Sequence, residues 1–189
     1  MKQIVYLLIG VLPFCMLAQE VDTPSEIRRE TGYQLFGDYA QHAPALTSLI
    51  MIVAKKDKKG FWQFAKSYGT TLGVAYVLKY AIDKPRPDGR TDGKAFPSGH
   101  TAVAFSGASF LQRRYGWEYG IPAYAVAGLV AYTRIEGIDD RHDVWDVLGG
   151  MVVGVGSTYL FTTPYKKEHY ELSFKSGNGE YLVGLTYKF

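Results

Sequence analysis

The sequence predicts an all-α bundle of about five core helices, followed by a short C-terminal β-hairpin. Two patterns favour this fold. Five apolar segments of helical length follow one another between residues 43 and 162, and a tail in which apolar and polar residues alternate comes after them. The composition agrees, because 47% of the 189 residues are hydrophobic and 21% are charged, which is typical of a chain with a packed core.

Residues 1–18 have the pattern of a secretory signal peptide. Lys2 supplies the positive charge, an apolar stretch follows it, and Ala18 is the small residue expected at a cleavage site. An uncleaved membrane anchor is the alternative, and in both cases the chain leaves the cytosol. The single cysteine, Cys15, excludes a disulfide framework and a thiolate metal site. A net charge of +3 without a dense basic stripe argues against nucleic-acid binding.

After the signal peptide we expect one helical domain over residues 19–165 and a hairpin tail over residues 166–189. The domain opens on a helix with Thr23 as N-cap and Pro24 at the first helical position. Its apolar residues suit a helix that lies on a membrane surface. The five core segments are then 43–54, 67–82, 100–112, 118–134 and 143–162.

Small residues within these segments predict close packing between helices. Gly69 and Gly73 are four residues apart, as are Gly150 and Gly154, and such pairs let helix backbones approach each other. In the tail, apolar residues alternate with polar ones on both sides of Ser-Gly-Asn-Gly at 176–179, which predicts a β-hairpin.

The placement of the basic residues between the helices indicates whether the helices lie in a membrane. A membrane span needs about 20 apolar residues, which only segment 143–162 approaches, and a mean hydropathy of −0.08 keeps a soluble bundle as the rival interpretation. If the segments cross alternately, however, the basic residues at 55–59, 113–114 and 166–167 fall on one side. We therefore favour short helices that are embedded in or associated with a membrane.

Three clusters carry the chemistry: Lys79 with Arg86-Pro87, then Pro97-Ser98-Gly99-His100, and last Thr133-Arg134 with His142 and Asp146. The transition state of phosphoryl transfer needs fixed cations and donors around its oxygens. Lys79, Arg86 and Arg134 supply three cations. Ser98, Gly99 and His100 open a helix whose N–H groups suit an oxyanion.

The two histidines of these clusters predict different roles. His142 and Asp146 are four residues apart, so they share one helix face. A carboxylate beside an imidazole fixes its tautomer and leaves the far nitrogen as a nucleophile. His100 is then the residue that gives a proton to the leaving oxygen. Alternating helices bring all of these residues to one face, opposite the basic loops.

Together the clusters resemble the three signature motifs of the type 2 phosphatidic acid phosphatase superfamily, PAP2, which includes bacterial lipid and acid phosphatases and vanadium haloperoxidases. The match covers about residues 67–160. The resemblance implies an all-α core, a phosphohistidine intermediate on His142, His100 as general acid and Asp146 as partner of His142. It also implies activity without a metal or other cofactor, and phosphate binding by Lys79, Arg86, Ser98, Gly99 and Arg134.

The sequence departs from the family pattern at two points in the third motif. Thr133 stands where the family usually has serine. Seven residues, 135–141, separate Arg134 from His142, which is two more than usual. The second departure makes the placement of Arg134 a question for the structure. Aspartates also occur in the loops, but without regular ligand spacing, and we expect no metal site from them: Asp83, Asp88, Asp92, Asp139 and Asp140.

An exported site among apolar helices favours a lipid phosphate as substrate, with the active site facing the periplasm, most naturally at the inner membrane. Among the substrates that the family handles there, lipid A is the first candidate, followed by undecaprenyl pyrophosphate and phosphatidylglycerol phosphate. A soluble periplasmic nonspecific acid phosphatase or phosphotransferase is the main alternative. A haloperoxidase is disfavoured by the short chain. A phosphate-binding membrane protein would result if the insertion before His142 had disabled the site.

Overall fold

The structure is a computed structural model, and it describes residues 25–86, 93–135, 142–165, 170–177 and 180–187. These residues form six helices and one hairpin: α1 Ser25–Ala40, α2 Ala43–Ala54, α3 Lys58–Ile82, α4 Gly99–Tyr115, α5 Trp117–Ile135, α6 Val144–Phe161, β1 Tyr170–Gly177 and β2 Glu180–Tyr187. The five predicted core segments correspond to α2–α6, so the predicted helical bundle is confirmed. The signal peptide and the helix start at Thr23 and Pro24 lie outside the described residues and stay predictions.

Helix α4 is the centre of the bundle and contacts each of the other five helices. Its Ala102, Ala104 and Ala108 have no exposed surface. Phe110 is also fully buried and packs edge-to-face on Phe64 of α3, with 5.1 Å between the ring centroids. The helices therefore pack around a core of small residues, with larger side chains mainly toward one end.

Small polar side chains in this core bond from helix to helix. Ser48 Oγ of α2 donates to the Gly107 carbonyl oxygen at 3.2 Å, and Thr71 Oγ1 of α3 donates to Ser106 Oγ at 3.1 Å. Thr158 Oγ1 of α6 reaches the Ser106 carbonyl oxygen at 3.2 Å. Such bonds hold helices together without help from the hydrophobic effect, and they are typical of bundles that pack in lipid.

The outer surface of the bundle is apolar. Large hydrophobic side chains on every core helix but α4 are between 62% and 76% exposed: Val53, Trp62, Val77, Ile121, Val152 and Leu160. Soluble monomers rarely expose so much apolar surface, which marks a contact with lipid or with another protein. Among the described helices, α6 is the one that is long and apolar enough to span a membrane, with a mean hydropathy of 1.4 over Val144–Phe161.

The glycine pairs that the sequence singled out behave differently from each other. A Cβ atom on Gly150 would lie 2.5 Å from the Ser98 carbonyl oxygen, and one on Gly154 would lie 2.4 Å from that of Ala102. Helices α6 and α4 therefore cross at these glycines, as predicted. The prediction for Gly69 and Gly73 is wrong for the described helices, because nothing beyond the neighbouring residues of α3 lies within 4 Å of a Cβ built on either residue. Their face of α3 points outward, and no described helix packs on it.

The end of the bundle that carries the α2–α3 and α4–α5 connections holds a buried ion pair. Arg114 donates from Nε and Nη2 to the Asp57 carboxylate at 2.8 and 2.7 Å, and Tyr115 Oη donates to the same group at 3.0 Å. Arg114 also donates to the Thr163 carbonyl oxygen at 2.9 Å. The sequence interpretation counted Arg114 among the basic loop residues that fall on one side of the bundle. This is corrected, since the residue is 2% exposed and its charge is balanced by Asp57.

The C-terminal hairpin is confirmed. Strands β1 and β2 pair antiparallel, with Phe174 opposite Val183 and Leu172 opposite Leu185. The side chains of Phe174, Tyr181 and Val183 are all at least 67% exposed. The hairpin is thus an accessory element beside the helical bundle.

We expect Gly150→Ala to destabilise the protein, because the new methyl group overlaps the Ser98 carbonyl oxygen. Overpacking of this kind costs about 1–3 kcal/mol. The matched control is Gly73→Ala, where space is open and alanine has a better helix propensity than glycine by about 1 kcal/mol. Thermal unfolding in detergent, followed by circular dichroism, should give a lower Tm for the first variant and an unchanged or higher Tm for the second. Equal Tm values would contradict the close crossing of α4 and α6.

Candidate active site

The predicted site residues meet at the end of the bundle opposite the Asp57–Arg114 pair. Lys79 lies in the last turn of α3, Arg134 lies in the last turn of α5, and Arg86 follows α3 in the chain. The starts of α4 and α6 bring the remaining residues: Ser98, Gly99, His100, His142 and Asp146. The predicted alternation of helix direction is thereby confirmed, and so is the gathering of these eight residues at one end.

The first turns of α4 and α6 are joined directly. The Ser98 backbone N–H donates to the Asp146 carbonyl oxygen at 2.8 Å. Ser98 is fully buried, and its Oγ accepts a hydrogen bond from Thr101 Oγ1 at 3.0 Å. That bond uses an acceptor lone pair and does not involve the Ser98 hydroxyl proton. Two helix N-termini, each carrying partial positive charge, thus point toward the same region.

His142 precedes α6 and is held by the polar start of that helix. Its Nδ1 lies 3.5 Å from Asp146 Oδ2, and Asp146 has no exposed surface. Asp143 and Asp146 form a capping box, in which Asp146 N–H donates to Asp143 Oδ1 at 2.9 Å and Asp143 N–H donates to Asp146 Oδ2 at 3.2 Å. The carboxylate of Asp146 is therefore fixed by its own helix. It lies on the Nδ1 side of His142, whose Nδ1 makes no hydrogen bond to a described residue.

Lys84 completes this arrangement and was missed by sequence reasoning. Its Nζ donates to Asp146 Oδ1 at 2.8 Å and also bonds Asp143 Oδ2. Burial lowers the pKa of Lys84, but the hydrogen bonds to the two carboxylates outweigh burial and raise the pKa above its usual value. Lys84 lies inside the first motif, two residues before Arg86. A lysine in a loop carries no sequence signal for a partner that lies about sixty residues away, so only the fold reveals the contact.

His142 is buried among cationic groups. It is 6% exposed, and burial followed by the charges of Lys79, Arg86, Arg134 and His100 lowers its pKa to about 3. The imidazole is accordingly neutral at physiological pH. A neutral imidazole whose Nδ1 faces a carboxylate presents the lone pair of Nε2, which is the chemistry of a nucleophile.

Arg134 occupies the site despite the longer loop that follows it. Its Nη1 donates to Asp38 Oδ1 of α1 at 3.0 Å, and its Nη2 donates to the Gln34 carbonyl oxygen at 3.1 Å. The same Asp38 oxygen lies 2.9 Å from His100 Nε2. No sequence pattern indicated Asp38, which belongs to a helix outside the three motifs. Residues 136–141, which carry most of the insertion, lie outside the described residues.

A cavity of about 400 Å³ opens beside His100, between α3 and α4 and next to the turn that joins α1 to α2. Its lining combines apolar side chains with a few polar ones, among them Gln41, His42, Tyr68, Leu72 and Val103. Such a space next to a polar site suits the organic part of an amphiphilic substrate.

The described residues contain no group of three or more histidine, cysteine, aspartate or glutamate side chains placed to hold a metal ion. Asp83 ends α3 as its C-cap, while Asp88, Asp92, Asp139 and Asp140 lie outside the described residues. Activity without a metal stays a prediction.

Residues 60–170, more than half of the chain, match the PAP2 superfamily. The chain belongs to this superfamily. A lipid A 4'-phosphatase from Helicobacter pylori is 32% identical over 182 residues, which cover 87% of this chain and 90% of that protein. A lipid A 1-phosphatase from Porphyromonas gingivalis is 31% identical over 144 residues, which cover 67% of this chain and 32% of that longer protein.

Among solved structures, a transmembrane PAP2-type phosphatidylglycerolphosphate phosphatase from Bacillus subtilis has a similar fold. Its TM-score is 0.55, its sequence is 23% identical, and the match covers 85% of each chain. The predicted family and fold are therefore confirmed. The two relatives that are more than 30% identical to this chain are both named as lipid A phosphatases.

The depressed pKa of His142 predicts a dependence of stability on pH. The folded value of about 3 lies below the value of the unfolded chain, about 6.5, so the unfolded chain binds more protons between these values. The stability of the neutral form is fully present above about pH 6.5 and is lost as the pH falls toward 3.

His142→Gln removes this titration and keeps a side chain of similar size. We expect the Tm of the variant to rise relative to that of the wild type as the pH is lowered from about 7.5 to about 5. Thermal melts of both proteins in the same detergent, at several pH values, measure the difference. A difference in Tm that stays constant over this range would show that His142 is not held neutral by its surroundings.

Proposed function

We propose that this PAP2 protein is a lipid A phosphatase that works without a metal and forms a phosphohistidine on His142. One observation carries the proposal: a buried, neutral histidine faces Lys79, Arg86 and Arg134 and is backed by Asp146. The two relatives above 30% identity, both named as lipid A phosphatases, support the choice of substrate.

In the first step, His142 Nε2 attacks the phosphorus atom while the bond from phosphorus to the leaving oxygen breaks. Lys79, Arg86 and Arg134, together with the N–H groups at the start of α4, neutralise the charge on the phosphoryl oxygens. His100 gives its proton to the leaving oxygen, so the alcohol departs neutral. The positive charge that develops on His142 is stabilised by Asp146, which Lys84 holds in place.

In the second step, water attacks the phosphohistidine and the bond between Nε2 and phosphorus breaks. His100, now neutral, takes a proton from the attacking water and returns to its starting form. Inorganic phosphate leaves, and His142 is neutral again. Both steps use the same cations, so no metal is needed to balance charge.

The apolar outer surface of the bundle supports a lipid as substrate and a membrane as the place of the reaction. The catalytic end lies opposite Arg113 and the basic residues at 55–59, and the predicted signal peptide directs the chain out of the cytosol. We infer a membrane-associated enzyme whose active site faces the periplasm. Cysteines at Gly93 and Lys58, in a Cys15→Ser background, test this orientation. An impermeant thiol reagent added to intact cells should modify only the first.

The substrate is tested with a phosphate-release panel of lipid A, undecaprenyl pyrophosphate, phosphatidylglycerol phosphate and a soluble aryl phosphate, all in EDTA. We expect lipid A to have the highest kcat/KM, the activity to survive chelation, and vanadate to inhibit by mimicking the transition state on His142. Analysis of the lipid product shows whether the 1- or the 4'-phosphate is removed. Preference for the aryl phosphate would favour a nonspecific acid phosphatase. Loss of activity in EDTA that a divalent metal restores would exclude the metal-free mechanism.

The roles of the two histidines predict different dependences on the leaving group. His142→Ala should abolish turnover and phosphoenzyme formation together. His100→Ala should lose much of the roughly 10²–10⁴-fold that general acid catalysis supplies on an alkyl or sugar phosphate. It should lose far less on a nitrophenyl phosphate, whose leaving group is stable as an anion. Asp146→Asn acts through His142 and should depress both substrates alike.

The measurement is kcat/KM for both substrates in each variant, together with trapping of the labelled phosphoenzyme. Equal losses for His100→Ala on both substrates, or a phosphoenzyme in His142→Ala, would overturn these roles without touching the family assignment.

A further inference from the structure

The carboxylate of Asp38 enters the active site from α1, a helix that precedes the segment matched by the PAP2 superfamily. One of its oxygens, Oδ1, lies 2.9 Å from His100 Nε2 and 3.0 Å from Arg134 Nη1. These two residues have the proposed roles of proton donor and phosphate binder. A single carboxylate therefore contacts both of them at once.

Helix α1 lies directly against Arg134. A Cβ atom on Gly37 would lie 2.3 Å from Thr133 Oγ1 and 2.6 Å from Arg134 Nη2. A larger residue at this point would require Thr133 or Arg134 to shift. The Gln34 carbonyl oxygen accepts from Arg134 Nη2 at 3.1 Å, one turn before Asp38. The helix thus holds the guanidinium at two points, by a main-chain oxygen and by a carboxylate.

We propose that Asp38 is a positioning residue for the reaction: it orients His100 as general acid, stabilises its protonated form, and fixes the guanidinium of Arg134. The inference rests on the proposed function. Each of the two histidines then has its own carboxylate, with Asp38 on His100 and Asp146 on His142, where the distance is 3.5 Å. The first pair comes from two different helices, which explains why no motif contains it.

The chemistry of the pair follows from the two imidazole nitrogens. With Nε2 bonded to Asp38, the proposed proton transfer to the leaving oxygen takes place from Nδ1. An imidazolium donates from both nitrogens, and a carboxylate beside it favours that charged form. The proton passes from His100 Nδ1 to the leaving oxygen, and His100 regains one from water in the second step.

The opposite role would be a block of phosphate binding, in which the Asp38 carboxylate occupies the position of a phosphate oxygen. The two roles predict opposite signs, because removal of a block raises activity and removal of a positioning group lowers it.

The experiment compares Asp38→Asn, Asp38→Glu and wild type, each as the full chain purified in detergent. Hydrolysis of dodecyl phosphate, whose leaving group needs a proton, is set against hydrolysis of nitrophenyl phosphate, whose leaving group does not. We expect Asp38→Asn to lose about tenfold or more in kcat/KM on the alkyl ester, a part of what a general acid contributes, and less than about threefold on the aryl ester. Asp38→Glu keeps the charge and should recover part of the loss.

Glu118→Gln is the matched control, since it removes an exposed carboxylate in the first turn of α5, away from the site; it should leave both rates unchanged. Inhibition by vanadate should be as strong in Asp38→Asn as in wild type, or weaker.

Faster hydrolysis of both esters with tighter vanadate inhibition would identify a block and overturn the proposal. Unchanged rates, or equal losses on both esters with a lower Tm, would also overturn it, the latter by showing a structural role alone. A wild-type chain that hydrolyses neither ester nor any lipid phosphate would contradict the proposed function itself, and the inference with it.

Discussion

The backbone hydrogen bond from Ser98 N–H to the Asp146 carbonyl oxygen, 2.8 Å long, joins the first turns of α4 and α6. It forms because Gly150 and Gly154 let the two helices cross with their backbones in contact. The crossing brings His100 and His142, which are far apart in the chain, to the same end of the bundle. It also aims two helix N-termini at one point, where their partial positive charges favour an anion. The geometry of the site thus follows from a contact between main chains.

The cationic side chains are arranged differently at the two ends of the bundle. At one end, the buried guanidinium of Arg114 is matched by Asp57, and a buried cation paired so closely is a structural element. At the other end, Lys79, Arg86 and Arg134 surround a neutral histidine. Like charges held around a neutral group repel one another, and a phosphate would relieve that repulsion. The repulsion therefore raises the free energy of the site without an anion, and a bound anion lowers it. These are the electrostatics expected of an anion-binding site.

Two carboxylates at the catalytic end offset part of the repulsion between these cations. Asp146 lies behind His142 and is held by Lys84, so the carboxylate can balance the imidazolium that the proposed reaction forms. Asp38 lies on the far side and contacts His100 and Arg134. Meanwhile the serine and threonine bonds inside the bundle and the apolar side chains outside suit a chain surrounded by lipid. The polar site then opens at one end of an otherwise apolar surface.

The sequence by itself determined the five core helices, the hairpin and the eight residues of the three motifs, because apolar periodicity and local spacing record which residues share a helix face. Even so, it could not tell Gly150 from Gly73 or Arg114 from a solvated arginine, since a glycine pair or a charge looks alike whether it is buried or exposed. Only the tertiary structure decided these cases. It alone revealed Lys84 beside Asp146 and Asp38 beside His100, since both contacts join segments about sixty residues apart in the chain. The physical reason is that periodicity describes one helix at a time, whereas an ion pair between elements depends on how the helices cross.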